Sequence, residues 1–239
     1  MTFQFRLAYL ELKKAIFNKE FGVIVLLVLG LLFLIPPYGT VLQKTKSLPE
    51  FTLPIIMIIY FSQILTCDFE HKTFKVLFTG GLTRLQVLIS KVISMMALCM
   101  LFFLSYQLLL AISQIVDARS FTFTFDYKII ANSMLAFILY SLVIMTFEIL
   151  LMSVTLNFAA TFTITFICFN SFVTDLFRNA TNKLGSGFIQ KVIEYAPFRV
   201  AADGLKLQSF TTMQTIVLTI SSLVFFVISS LILLRKDLR

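Results

Sequence analysis

Charge is what this chain lacks most. Only 13% of its 239 residues are Asp, Glu, Lys or Arg, against about 25% in an ordinary soluble domain, while 59% are hydrophobic and the mean hydropathy is +0.94. That deficit sets water-soluble folds aside and leaves an integral membrane protein. Histidine is reduced to His71. A His-based zinc site or a Ser-His-Asp triad would have to rest on that one residue, so metalloprotease and serine-hydrolase chemistry lack their material. Cys67, Cys99 and Cys168 stand far apart with no CxxC, a pattern of separate thiols rather than a disulfide framework or metal site. Tryptophan is absent, and 28 Phe residues supply the adaptable apolar surface. The net charge of +8 comes without a block of Lys and Arg and without a nucleic-acid-reading motif, so it is assigned to loops facing anionic lipid. A G-x-x-x-x-G-K-[ST] loop is also missing, so the chain cannot cradle nucleotide phosphates in that way.

What is present is a series of apolar runs. Crossing the hydrocarbon core takes about 20 such residues. Residues 21–38, FGVIVLLVLGLLFLIPPY, form the first run, ended by Pro36-Pro37. Residues 51–67 and 92–116 form the second and third. Residues 129–175 are too long for one crossing and divide around Asn157 and Ala159-Ala160 into spans 129–154 and 158–175. Residues 212–234 close the series. The expectation is an all-α, polytopic membrane protein with six transmembrane helices in one domain, residues 1–239. The first run is longer than a signal-peptide core, and no small-x-small site follows it, so it reads as an uncleaved span. Lys13, Lys14 and Lys19 flank it and place the N-terminus inside. Six spans bring the C-terminus back to the same side, giving a multi-pass plasma-membrane protein with both termini cytoplasmic. Ahead of the first span, Phe5, Tyr9, Leu12 and Ile16 fall on one stripe of an expected interfacial helix over 2–20.

The charged interruption DFEHKTFKVLFTGGLTRLQVLISK, residues 68–91, is longer and more amphipathic than a connector needs. Phe69, Thr73, Val76 and Leu77 share a helical face, with Glu70, His71, Lys72 and Lys75 around the rest. Gly80-Gly81 breaks that helix. Thr83 followed by Gln86 matches a capping box, so a new helix begins near Thr83 and runs into the third span, with Lys91 near the membrane boundary. Such a helix across the inner ends of two spans either floats on the bilayer or offers a docking surface that levers the spans.

In layout the stretch resembles the cytoplasmic loop of the type-2 ATP-binding-cassette permease family, whose pattern runs roughly E-x-x-x-G-T, a hydrophobic stretch, P-[VIL]-[ST]-R, then Lys at the next span. Here stand Glu70, Lys72-Thr73, Val76-Leu77, Gly81-Leu82-Thr83-Arg84 and Lys91, departing at Lys72, where Gly is usual, and at Gly81, where Pro is common. YAPFRVAADGLK, residues 195–206, is similar to the family's segment before the last span. The resemblance extends over nearly the whole chain by arrangement more than identity. It implies a coupling helix contacting a separate cytoplasmic ATPase through Phe69, Glu70, Thr73, Val76, Gly81 and Arg84. It also implies a second permease chain, identical or related. No cofactor is expected in this chain; ATP and Mg would sit on the partner ATPase.

Residues 176–211 are long for an outer loop. Phe188, Ile189, Val192 and Ile193 mark one short helix stopped by Pro197, and 198–206 form another turn or two. In the resembling family such helices dip into the outer leaflet. Apart from Asp175 at the outer end of span five, Glu148 is the strongly charged residue within the spans, about two turns from the inner end of span four, an anchor near the interface or part of a transport path. Gln63 and Asn170 are further pathway candidates. Ser62, Gln107, Thr161, Thr163, Thr165 and Ser171 complete the polar points, and the three threonines cannot share one helical face. A pathway so poor in charge suits an amphipathic or hydrophobic cargo such as a peptide, drug or lipid. Small outer loops favour export over import. The competing classes are an ion-coupled secondary transporter, for which only Glu148 offers a midplane acid, and a non-transporting membrane scaffold.

Overall fold

The computed structural model describes residues 5, 8–10, 12, 13, 45, 46, 48–70, 83–118, 126–169 and 195–235. Six helices account for most of them: α1 (Leu48–Glu70), α2 (Arg84–Ala118), α3 (Tyr127–Thr155), α4 (Phe158–Phe169), α5 (Pro197–Leu207) and α6 (Thr212–Arg235). Among the described residues 93% are helical and none is in a strand, so the all-α expectation holds there. Among the described residues three helices are long and apolar enough to cross a membrane: Leu85–Val116, Tyr127–Thr155 and Thr212–Leu233. Thr52–Leu65 and Phe158–Phe169 are shorter apolar helices. The expected first span, 21–38, the end of the fifth, 170–175, and the short helix over 188–193 lie outside the described residues.

The long apolar run splits where the sequence indicates. Thr155 ends α3, and Leu156 takes the left-handed conformation with φ 52°, its N–H returning to the Met152 carbonyl. A left-handed leucine is unfavourable, and the caps on both sides offset it. Asn157 opens α4, its Oδ1 accepting from the backbone N–H groups of Ala159 at 2.8 Å and Ala160 at 3.4 Å. Across the turn the hydroxyls of Thr155 and Thr161 are 3.2 Å apart. At the other end of α3, Asp126 caps the helix by accepting from Lys128 N–H at 2.9 Å.

α3 is the axis of the bundle: 67% of its best 18-residue window is buried, against 22% for α6. α2 runs antiparallel to it. Cys99 Sγ meets the Phe137 carbonyl at 3.4 Å, and Ser141 Oγ meets Met96 Sδ at 3.7 Å, so contact positions fall on one helix as they rise on the other. α6 runs parallel on another side, with Phe225 against Phe147. The outward faces carry two continuous apolar stripes. One is Leu101, Leu104, Leu108, Ile112 and Val116 on α2. The other runs through Met213, Ile216, Ile220, Leu223, Val227 and Leu231 on α6. In a bilayer these faces meet hydrocarbon.

Only part of the expected N-terminal stripe is described. Phe5 and Tyr9 are 50% and 60% exposed, whereas Ala8 is buried and its carbonyl accepts from Ser94 Oγ of α2 at 3.2 Å. The face that meets the bundle is therefore set by a small residue allowing close approach, with Leu12 packed beside it, and the aromatic side points away.

Candidate functional site

Helix α5 defines the site because it starts inside the bundle. Pro197 sits in its first turn, where a missing N–H costs nothing, and the helix covers the turns expected over 198–206; the helix that Pro197 was expected to stop lies outside the described residues. Phe198 packs on Phe147 at 4.9 Å between centroids, whereas Gln208, just past the helix end, accepts from Ser133 Oγ at 2.7 Å. Residues 133 and 147 are separated by about 21 Å along α3. Helix α5 is about 16 Å long, and the side chains span the rest. It thus begins alongside the middle of α3 and runs antiparallel to it, toward the Tyr127 end.

Four phenylalanines from four helices hold the inner end of α5. Phe147 (α3) meets Phe169 (α4) at 5.8 Å and Phe225 (α6) at 5.5 Å, and Phe198 (α5) meets Phe169 at 5.2 Å and Phe225 at 6.1 Å. Tyr140 extends the cluster edge-on to Phe169 at 6.1 Å. At the outer end Gln208 adopts φ 53° and its N–H returns to the Gly204 and Leu205 carbonyls. Its amide also donates to the Tyr106 hydroxyl of α2. Phe210 folds back onto Gly204, where a Cβ would stand 1.8 Å from the ring's Cε1; a side chain there would displace the ring. Buried Val200, Ala201, Ala202 and Leu205 face inward. Arg199 and Asp203 form a 3.3 Å pair one turn apart, the Arg side chain only 14% exposed.

Beside this helix lies a buried polar seam. Glu148 is fully buried, about 10 Å along α3 from its Thr155 end. Ser62 Oγ of α1 donates to its Oε1 at 3.0 Å, whereas its Oε2 has no hydrogen-bond partner among the described residues. The hydroxyls of Tyr140 (α3) and Thr165 (α4) are likewise buried and unpartnered. Thr161, Thr165 and Phe169 are the buried residues of α4, one every turn, while Thr163 is exposed; the threonines divide between two faces, as expected. Gln63 is half-buried next to Ser62, and Asn170 lies outside the described residues.

Lys91, expected near the membrane boundary, is held inside the bundle. It is 1% exposed and donates its ammonium to the Ile64 carbonyl of α1 at 2.8 Å. The physical reason lies in its neighbours: Val87, Leu88 and Met95 are buried around it, so α2 has already entered the bundle. One short stretch of α1, residues 62–64, therefore holds both the Glu148 carboxylate of α3 and the Lys91 ammonium of α2. The apolar residues on both sides of Lys91 were the signal for this, and so was the lone glutamate for Ser62.

Of the expected docking residues, Phe69 and Glu70 fall in the last turn of α1 and Arg84 is the first residue of α2, by backbone alone; Thr73, Val76 and Gly81 lie outside the described residues. The junction itself carries the anticipated capping box. Thr83 N–H donates to Gln86 Oε1 at 2.9 Å, and Gln86 N–H donates to Thr83 Oγ1 at 3.3 Å. The same four-residue pattern, Thr211 to Gln214, opens α6 with bonds of 2.9 and 3.4 Å. Thr83→Ala is expected to cost about 1 kcal/mol and to fray only the first turn of α2, read as faster amide hydrogen exchange over residues 84–88 with the rest of α2 unchanged.

The chain matches no protein-family model and no curated protein.

Proposed function

We propose that the chain is the transmembrane permease subunit of an ATP-driven exporter of the type-2 ATP-binding-cassette kind. It would pair with a second permease chain, and a separate cytoplasmic ATPase would dock on residues 68–91. The cargo would be an amphipathic or hydrophobic molecule moved outward. The observation that carries this reading is the sharp restart of α2 at the Thr83–Gln86 box. α1 runs as helix to Glu70 and α2 begins at Arg84, and each continues directly into an apolar, bundle-packed helix. A push applied to the segment between them is thereby delivered to two rigid levers. Helix α5, beginning partway down the bundle, adds support, since an element that ends at depth beside a polar seam can shape a pathway without crossing it.

Affinity purification of the full chain in mild non-ionic detergent tests this. A stoichiometric ATPase bearing a Walker motif is expected to co-purify. Glu70→Lys combined with Arg84→Glu should weaken that association on the order of tenfold or more and make it less salt-sensitive, with membrane insertion unchanged. Co-purification of no ATPase overturns the reading; undiminished binding by the charge-reversed chain removes these residues from the contact.

A further inference from the structure

We propose that Glu148 anchors a binding site for a monovalent alkali cation, Na+ the foremost candidate, in the seam between α1, α3 and α4. Glu148 is fully buried, takes one hydrogen bond from Ser62 and forms no ion pair among the described residues. An ionised carboxylate left that way in a membrane bundle is costly unless a proton or a cation neutralises it, and only the cation makes stability depend on alkali salt. The other buried charge of the bundle is directed elsewhere: the Lys91 ammonium meets the Ile64 carbonyl.

The seam offers further oxygen donors at the same level. Thr161, one turn before Thr165, meets Thr155 across the α3–α4 turn, and Phe169, one turn after it, packs on Phe147. Those two contacts bracket Thr165 against the stretch of α3 that carries Glu148. Its hydroxyl is fully buried and has no partner among the described residues. Tyr140 of α3 is likewise buried, with no hydroxyl partner among the described residues. Glu148 Oε2 and Thr165 Oγ1 form no hydrogen bond with each other or with any other described residue, so both oxygens are available to coordinate a bound particle. Water would supply contacts without cancelling the charge, whereas a hard cation supplies both and suits carboxylate and hydroxyl oxygens. One carboxylate calls for one positive charge; a divalent ion would leave the seam net positive. This inference stands apart from the exporter reading and does not depend on an ATPase.

The test uses the purified full chain in neutral detergent at constant ionic strength, with choline chloride replaced stepwise by NaCl, KCl or LiCl. Unfolding is followed by circular dichroism. The parent is expected to gain thermal stability in a saturable way with one alkali ion, on the order of 5 °C at saturation, and not with choline. Glu148→Gln retains an acceptor for Ser62 and should lose the ion dependence. Thr165→Val should keep the rise in Tm but need roughly tenfold more ion. A parent Tm that is the same in choline and in all three alkali chlorides overturns the site, and so does an undiminished ion response in Glu148→Gln. The parent titration alone decides if a variant fails to fold.

Discussion

Phe147→Ala is expected to be the most damaging single truncation in the aromatic cluster, costing about 3 kcal/mol. Its ring touches Phe169, Phe198 and Phe225, one on each of α4, α5 and α6, and it is 8% exposed. Truncation to Ala removes contacts to three helices at once and leaves a void that none can fill without moving away from the others. The upper end of the soluble range for Phe→Ala is not expected. Helices in lipid separate into hydrocarbon rather than water, so the lost term is packing and not transfer. The control lies on α4, where Phe158, Phe162 and Phe166 stack in a ladder at 6.0 and 5.9 Å along the helix's own surface. Phe166→Ala removes one ring contact within one helix and should cost under about 1 kcal/mol. With no tryptophan to report unfolding, circular dichroism gives the comparison. Cys99, buried against Phe137, gives a second readout through its labelling by a thiol dye. Equal losses in the two variants would show that Phe147 does not tie α5 into the bundle.

The bundle's axis was legible because a membrane helix advertises itself by length and apolarity. The boundaries of α3 and α6 fall within two residues of the expected spans, and the break at Leu156–Asn157 follows from Asn157, a residue that caps helices well and continues them poorly. The start of α2 was legible for the same kind of reason, through Thr83 and Gln86. What could not be read was which side of each helix faces inward. All-apolar helices show no hydrophobic period, so Lys91 looked like a boundary residue by position along the chain, and its burial depends on where α1 crosses α2. The N-terminal contact was hidden for a related reason: aromatic residues in a membrane protein face lipid as readily as protein, and the small Ala8, which makes the contact with α2, carries no pattern of its own. The polar seam was half visible. Glu148, Ser62 and Thr165 were all singled out as polar points, but their meeting is a property of three helices together, and no spacing within any one of them encodes it.

Ser62 and Glu148 should show strong non-additivity, with a double variant more stable than one of its parents. Ser62→Ala removes the one hydrogen bond to Glu148 and leaves a fully buried carboxylate with neither oxygen satisfied. In choline chloride, without an alkali ion, this is expected to cost about 3 kcal/mol, the scale for stranding a buried charged group. Glu148→Leu alone takes one acceptor from the Ser62 hydroxyl, which has a further interaction and can turn to a carbonyl of its own helix, and should cost under about 1 kcal/mol or stabilise the bundle. Combining Ser62→Ala with Glu148→Leu removes both the stranded charge and its former donor, so stability returns to within about 1 kcal/mol of the parent. The coupling is thus about 2 kcal/mol or more in the favourable direction, measured from denaturation midpoints of the four proteins in one detergent. Additive losses would mean that the Ser62–Glu148 contact is incidental to the fold. Recovery in the double variant would mean that α1 and α3 hold together about as well without the carboxylate, so its presence in the seam has to be explained by what it binds rather than by stability.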